Sequence, residues 1–170
     1  MTMQKILVIG CPGGGKSYFA RALHAQTDIP LVHLDMLYWN ADKTTVEKSV
    51  FLERLSTALA RDAWIIDGNY ASTLKERLSA CDTVFFLDYP TEICLEGVRA
   101  RRRQARPDLP WVEDGEDADF IDFIKHFSER QRPQMLELLA QYPDKTVITF
   151  TDRVQADAFL RENETKSDPR

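Results

Sequence analysis

Apolar positions along the chain fall into two alternating rhythms. Short dense runs, rich in β-branched residues, occupy positions 5–9, 31–34, 64–66, 83–87 and 146–150. Between them apolar residues recur every third or fourth position, the period of a helix with one buried face. Phe19, Ala20 and Leu23 carry this rhythm up to Gln26, and Val50, Phe51, Leu55, Ala58 and Leu59 carry it within 46–61. Phe120, Phe123, Ile124, Phe127, Met135, Leu136 and Leu139 repeat it within 119–141. Pro133 interrupts that segment and predicts a kink or two helices, because proline removes a helix N–H and crowds the preceding turn. Residues 154–161 read as a closing helix, and the polar stretch 163–170 as a frayed tail. Short strands alternating with helices make an α/β fold, a parallel sheet wrapped by helices.

In open sheets of this kind, ligands bind at the carboxyl ends of the strands. Four of the five runs end there in chemistry: Gly10 opens a glycine-rich loop, Asp35 follows the second run, Asp67-Gly68-Asn69-Tyr70 the third, and Thr151-Asp152-Arg153 the last. The glycine-rich loop is the most specific of these. Gly10-Cys11-Pro12-Gly13-Gly14-Gly15-Lys16-Ser17 is a complete G-x-x-x-x-G-K-S loop between a strand and an amphipathic helix. Its glycines let successive N–H groups turn inward around phosphates, and the helix adds its positive dipole end. Lys16 can reach the β- and γ-phosphates and Ser17 can hold Mg²⁺. A dinucleotide-binding turn would need a third glycine in G-x-G-x-x-G spacing, and none follows Gly13 and Gly15.

With 170 residues, 44% of them hydrophobic, the chain suits one core and one domain, 1–170. No run approaches a membrane span, and the first residues lead into a strand without a signal-peptide pattern, so a cytoplasmic protein with no membrane partner is expected. A net charge of −5 argues against a general nucleic-acid binder. Cys11, Cys81 and Cys94 form no C-x-x-C pair, which leaves neither a zinc site nor a disulfide framework. Cys81 and Cys94 read as small core residues. Cys11 is either a tolerated small residue or a thiol made oxidation-sensitive by the lysine and helix dipole beside it.

Asp67 directly follows an apolar strand, where a phosphate-loop protein needs a carboxylate to orient Mg²⁺. Asp88 ends Val84-Phe85-Phe86-Leu87 in the same way and competes with it, but Tyr89-Pro90 after it favours a turn-capping role. Asp35 is either a helix N-cap or a carboxylate that takes a proton from an acceptor hydroxyl or binds a substrate ribose. Tyr38 and Trp39 behind it are either core aromatics or a surface for stacking a ring. His33 reads as structural. Arg99, Arg101, Arg102, Arg103 and Arg106 gather within eight residues, ahead of an acidic stretch. If 92–104 is helical they crowd nearby faces, and Pro107, Pro110 and Gly115 break into a loop able to close over the site. Arg130 and Arg132 approach from the next helix.

Taken together, these residues resemble the FlaR-like topology modulation proteins, small P-loop proteins similar to adenylate kinase, over nearly the whole chain. The run Trp64 to Tyr70 is the most specific part of the likeness. The resemblance implies a three-layer P-loop NTPase fold of nucleoside-monophosphate-kinase type. Its five-stranded parallel sheet would run in order 2-3-1-4-5, with a small helical lid at about 99–132. ATP would lie on Gly10, Pro12, Gly13, Gly14, Gly15, Lys16 and Ser17, with Mg²⁺ on Ser17 and Asp67 and the adenine near Arg153. Tyr18 stands where such loops carry a small hydroxyl residue, and would bind through its backbone N–H. Lys16, Asp35, Arg99, Arg103, Arg106 and Arg130 would be catalytic. Asp35, Tyr38, Trp39, Gly68, Asn69, Tyr70 and Arg132 would meet the substrate. The segment after Asp35 does not reproduce the full monophosphate-binding arm of adenylate kinase.

The function expected is phosphoryl transfer from ATP to a small-molecule acceptor, with a nucleoside monophosphate among the candidates. The alternative is an ATP-binding regulator with little turnover that acts through a partner. An arginine lid favours the kinase, since a switch needs no cation cluster for an acceptor. A monomer or weak homodimer is expected.

Overall fold

The structure, a computed structural model, describes residues 3–164. Five strands form one parallel sheet: β1 (Lys5–Gly10), β2 (Leu31–His33), β3 (Trp64–Asp67), β4 (Thr83–Leu87) and β5 (Thr146–Phe150). Their order is β2-β3-β1-β4-β5, as the family resemblance implied. Eight helices lie around it among the described residues: α1 (Lys16–Thr27), α2 (Leu34–Tyr38), α3 (Lys48–Leu59), α4 (Ala71–Ala80), α5 (Thr91–Arg101), α6 (Ala118–Lys125), α7 (Phe127–Ala140) and α8 (Arg153–Glu164). None is long and apolar enough to cross a membrane.

β1 is central, and Ile6, Leu7, Val8 and Ile9 are fully buried, as expected for a strand covered on both faces. Parallel pairing puts Val8 beside Asp67 and Gly10 beside Leu87, so the carboxyl ends of β1, β3 and β4 come out together. Phe19 of α1 meets Phe85 at 4.9 Å and Phe150 at 5.7 Å, and Phe159 of α8 meets Phe85 at 5.1 Å. That aromatic cluster presses the first and last helices onto the sheet.

Three expectations need correction. Helix α4 was not anticipated, because its core face holds Thr73 and Arg77 beside Leu74 and Leu78 and so hides the apolar period. The break in 119–141 falls at His126, whose N–H bonds back to Asp122 O, and Pro133 lies inside α7 at an exposed position. Of the tail 163–170, Asn163 and Glu164 complete α8, and the rest lies outside the described residues.

The loop after β1 packs on α5 through two glycines. A Cβ on Gly97 would stand 2.0 Å from Gly13 O, and one on Gly13, whose φ is +84°, would stand 2.0 Å from Cys94 O. No side chain fits between these backbones. Gly97→Ala is therefore expected to lower the urea midpoint by the equivalent of about 1–3 kcal/mol of overpacking. Gly115→Ala, where a Cβ meets nothing within 4 Å, serves as the neutral control. Equal midpoints for the two variants would count against the close packing.

Candidate active site

Gly15 begins α1 with φ 81°, no side chain caps that end, and no acid occupies its first turn. The first N–H groups are thus left for an anion. Lys16 Nζ donates to Gly10 O at 2.9 Å and to Cys11 O at 3.3 Å, and burial lowers its pKa. Ser17 Oγ accepts from Arg21 Nη1 at 2.6 Å, and Arg153 Nη2 donates to Gly13 O at 3.3 Å. Burial and contact with the Cys94 thiol raise the Cys11 pKa, which opposes the activated thiol that the sequence allowed.

Asp67 ends β3 and is buried. His33, at the paired position of β2, meets it with Nδ1 2.6 Å from Asp67 Oδ2. Burial raises the Asp67 pKa against the opposing pull of His33 and Lys16. Ser17 and Asp67 suit Mg²⁺, which keeps several waters and takes one or two protein oxygens beside substrate phosphates. Asp88 is held in a two-point pair by Arg132, with both bonds at 2.8 Å, on the wall of a separate pocket of about 330 Å³ behind Cys11.

The loop after β3 is tied down from three directions. Asn69 Nδ2 donates to Gly10 O at 2.6 Å while Asn69 Oδ1 accepts from Gly10 N at 3.1 Å. Arg77, fully buried, donates to the carbonyls of Gly68, Asn69 and Tyr70 and to Thr73 Oγ1. Tyr70, at the strained φ of +33°, donates its hydroxyl to Asp35 Oδ1 at 2.5 Å. Asp35 is thus no N-cap, since α2 begins after His33 and without a side-chain cap. Tyr38 and Trp39 are absent from the cleft wall. Tyr38 packs on Phe51 at 5.4 Å and Tyr70 at 5.1 Å, and Trp39 packs on Trp111 at 5.0 Å.

One cleft of about 720 Å³ joins these parts, with Gly15, Lys16 and Ser17 at one end and Asp35, Asp67 and Tyr70 at the other. The arginines that line it are Arg21, Arg101, Arg106 and Arg153. Helix α5 stops at Arg101 rather than running to 104; Arg99, on its outer face, and Arg103, beyond its end, are exposed outside the cleft, as is Arg130. Arg101 and Arg106 both stand 3.5 Å from Glu113 Oε2, and Arg106 also stands 3.5 Å from Asp108 Oδ1. Arg101 Nε and Arg106 Nη1 are buried without a full hydrogen bond. Sequence reasoning did not single out Arg21, Arg77 or Asp108, and it counted Arg101 in the arginine run without giving it a role of its own.

No family model matches the chain, and no curated protein does. Solved structures do. Shikimate kinase from Bacteroides thetaiotaomicron superposes with a TM-score of 0.63 at 20% identity, over 97% of this chain and 98% of its own. Shikimate kinase from Acinetobacter baumannii, in complex with shikimate, gives 0.62 at 18% identity, over 97% and 95%. At such identity the likeness establishes the fold, a P-loop kinase-type sheet with its surrounding helices.

The raised Asp67 pKa carries a stability signature. Folded Asp67 holds its proton more tightly than the unfolded chain does, so its contribution is full at low pH and is lost as pH rises through the folded pKa. At neutral pH the buried carboxylate is a standing cost. Asp67→Asn should raise the urea midpoint at neutral pH, by a margin that shrinks on acidification through the carboxylate range. A lower midpoint at neutral pH would contradict the burial argument.

Proposed function

We propose that the chain is an ATP-dependent kinase that phosphorylates a hydroxyl of a small polar molecule. The observation that carries this reading is the single cleft, which sets uncapped N–H groups and Lys16 at one end and the Asp35–Tyr70 pair at the other. The glycine geometry and the uncapped helix end suit ATP, which would supply the γ-phosphoryl group with Mg²⁺ on Ser17 and Asp67. Lys16 exchanges its carbonyl partners for phosphate oxygens. Asp35 accepts the proton of the acceptor hydroxyl, and Tyr70 fixes its orientation. Arg101 and Arg106, with donors incompletely bonded, offset charge as the phosphoryl group moves. An acceptor phosphate would need cations beyond the two that meet the moving group, and the other two arginines on the cleft wall, Arg21 and Arg153, bond Ser17 Oγ and Gly13 O at the phosphate-loop end. That favours a hydroxyl acceptor over a nucleoside monophosphate. Kinship with the FlaR-like topology modulation proteins belongs to this same reading and rests on Gly10 to Ser17 and Trp64 to Tyr70.

ATP consumption with Mg²⁺ across a panel of nucleosides, sugars, hydroxy acids including shikimate, and nucleoside monophosphates tests the reading. Turnover that depends on one hydroxyl acceptor and vanishes in Lys16→Ala is expected. Acceptor-independent slow hydrolysis, or ATP binding alone, would favour the regulator instead. Within an active assay, Arg101→Ala should lower kcat by about 10²-fold or more with little change in ATP affinity. Arg103→Ala should be nearly silent, and a larger effect from Arg103 than from Arg101 would mean the lid reaches the site in another arrangement.

A further inference from the structure

Adjacent residues at the start of α1 have opposite fates. Phe19 is 2% exposed in the aromatic core, whereas Tyr18 is 60% exposed. Tyr18 makes no hydrogen bond or ring contact with any described residue, yet it lines the cleft beside Lys16 and Ser17. A second large apolar side chain, Phe123 of α6, is 38% exposed on the same cleft, and its ring contact is with Phe127 at 6.0 Å. Gly97 and Ala100 of α5 line the cleft too and present no more than a methyl group, a smooth surface that suits a flat ring. Leaving two aromatic rings uncovered forfeits the burial that would otherwise stabilise them. Arg153 and Arg21 each direct one donor into the protein, to Gly13 O and to Ser17 Oγ.

We propose that Tyr18 and Phe123 form the nucleobase subsite of this cleft and hold the donor's purine by stacking rather than by hydrogen bonds to its edge. The proposal rests on the nucleotide-binding reading above and adds the means of base recognition. Every base has a π-face, so stacking tolerates different bases, while edge readout discriminates among them. The donor site therefore accepts ATP and GTP with similar affinity.

Calorimetric titration of the whole protein with ATP, GTP and inorganic tripolyphosphate tests this. ATP and GTP should bind within about tenfold of each other, and Tyr18→Ala should weaken both by about tenfold while tripolyphosphate affinity stays unchanged. Tyr18→Phe should keep the wild-type affinities, because the ring and not the hydroxyl carries the effect. Phe123→Ala should weaken the nucleotides alone. Unchanged ATP affinity in Tyr18→Ala, an equal loss for tripolyphosphate, or a preference above about a hundredfold for one purine would overturn the proposal. If tripolyphosphate does not bind, or binds equally well to Lys16→Ala, the nucleotide-site reading itself fails and the subsite falls with it.

Discussion

The backbone of Gly10 is where the two halves of the cleft are fixed to each other. Its carbonyl accepts from Lys16 Nζ and from Asn69 Nδ2, and its N–H donates to Asn69 Oδ1. Lys16 and the loop after β3 thus share one anchor at the end of the central strand. Asn69 continues, with a side chain, the backbone pairing that β1 and β3 can no longer make where their chains diverge. Arg77 completes the arrangement from beneath. A guanidinium with no contact with water is costly to bury, and here it is matched by three successive carbonyls and a threonine hydroxyl. Those bonds hold Tyr70 in its left-handed conformation and so aim its hydroxyl at Asp35.

The same site carries a cost in stability. Asp67 would be better solvated outside the sheet end, and His33 supplies one good contact against that loss. Arg101 and Arg106 keep N–H groups that neither Glu113 nor Asp108 fully satisfies. Buried polar atoms left short of partners are uncommon in native proteins, and two of them, on Arg101 and Arg106, stand together on the wall of this cleft.

The sheet was legible because β1, β3 and β4 are buried runs whose composition leaves little alternative, and the phosphate loop because its eight residues stand between a strand and a helix. Strand order came with the family resemblance rather than from the pattern of residues. Helix α4 was hidden because its inner face carries an arginine whose partners are loop carbonyls, which no periodicity reports. Which arginines enter the cleft depended on where α5 ends. A stop at Arg101 instead of residue 104 rotates the rest of the run into an irregular loop, with Arg103 at φ 62° and its N–H bonded to Glu113 O. The pairing of His33 with Asp67 becomes visible only once β2 and β3 are known to be neighbours in register. Pairings between distant segments are tertiary facts, and one chain read alone does not state them.

The contact between Gly13 and Gly97 joins backbone to backbone, so it contains no rotamer that could absorb a displacement. Helix α5 ends at Arg101, one turn beyond that contact. A tilt of α5 is therefore transmitted to the glycine-rich loop without slack, and an anion that stiffened the loop would stiffen the end of α5 as well. Two hydrogen atoms in place of side chains act as the gear between the place where a nucleotide would rest and the arginines that would meet its terminal phosphate.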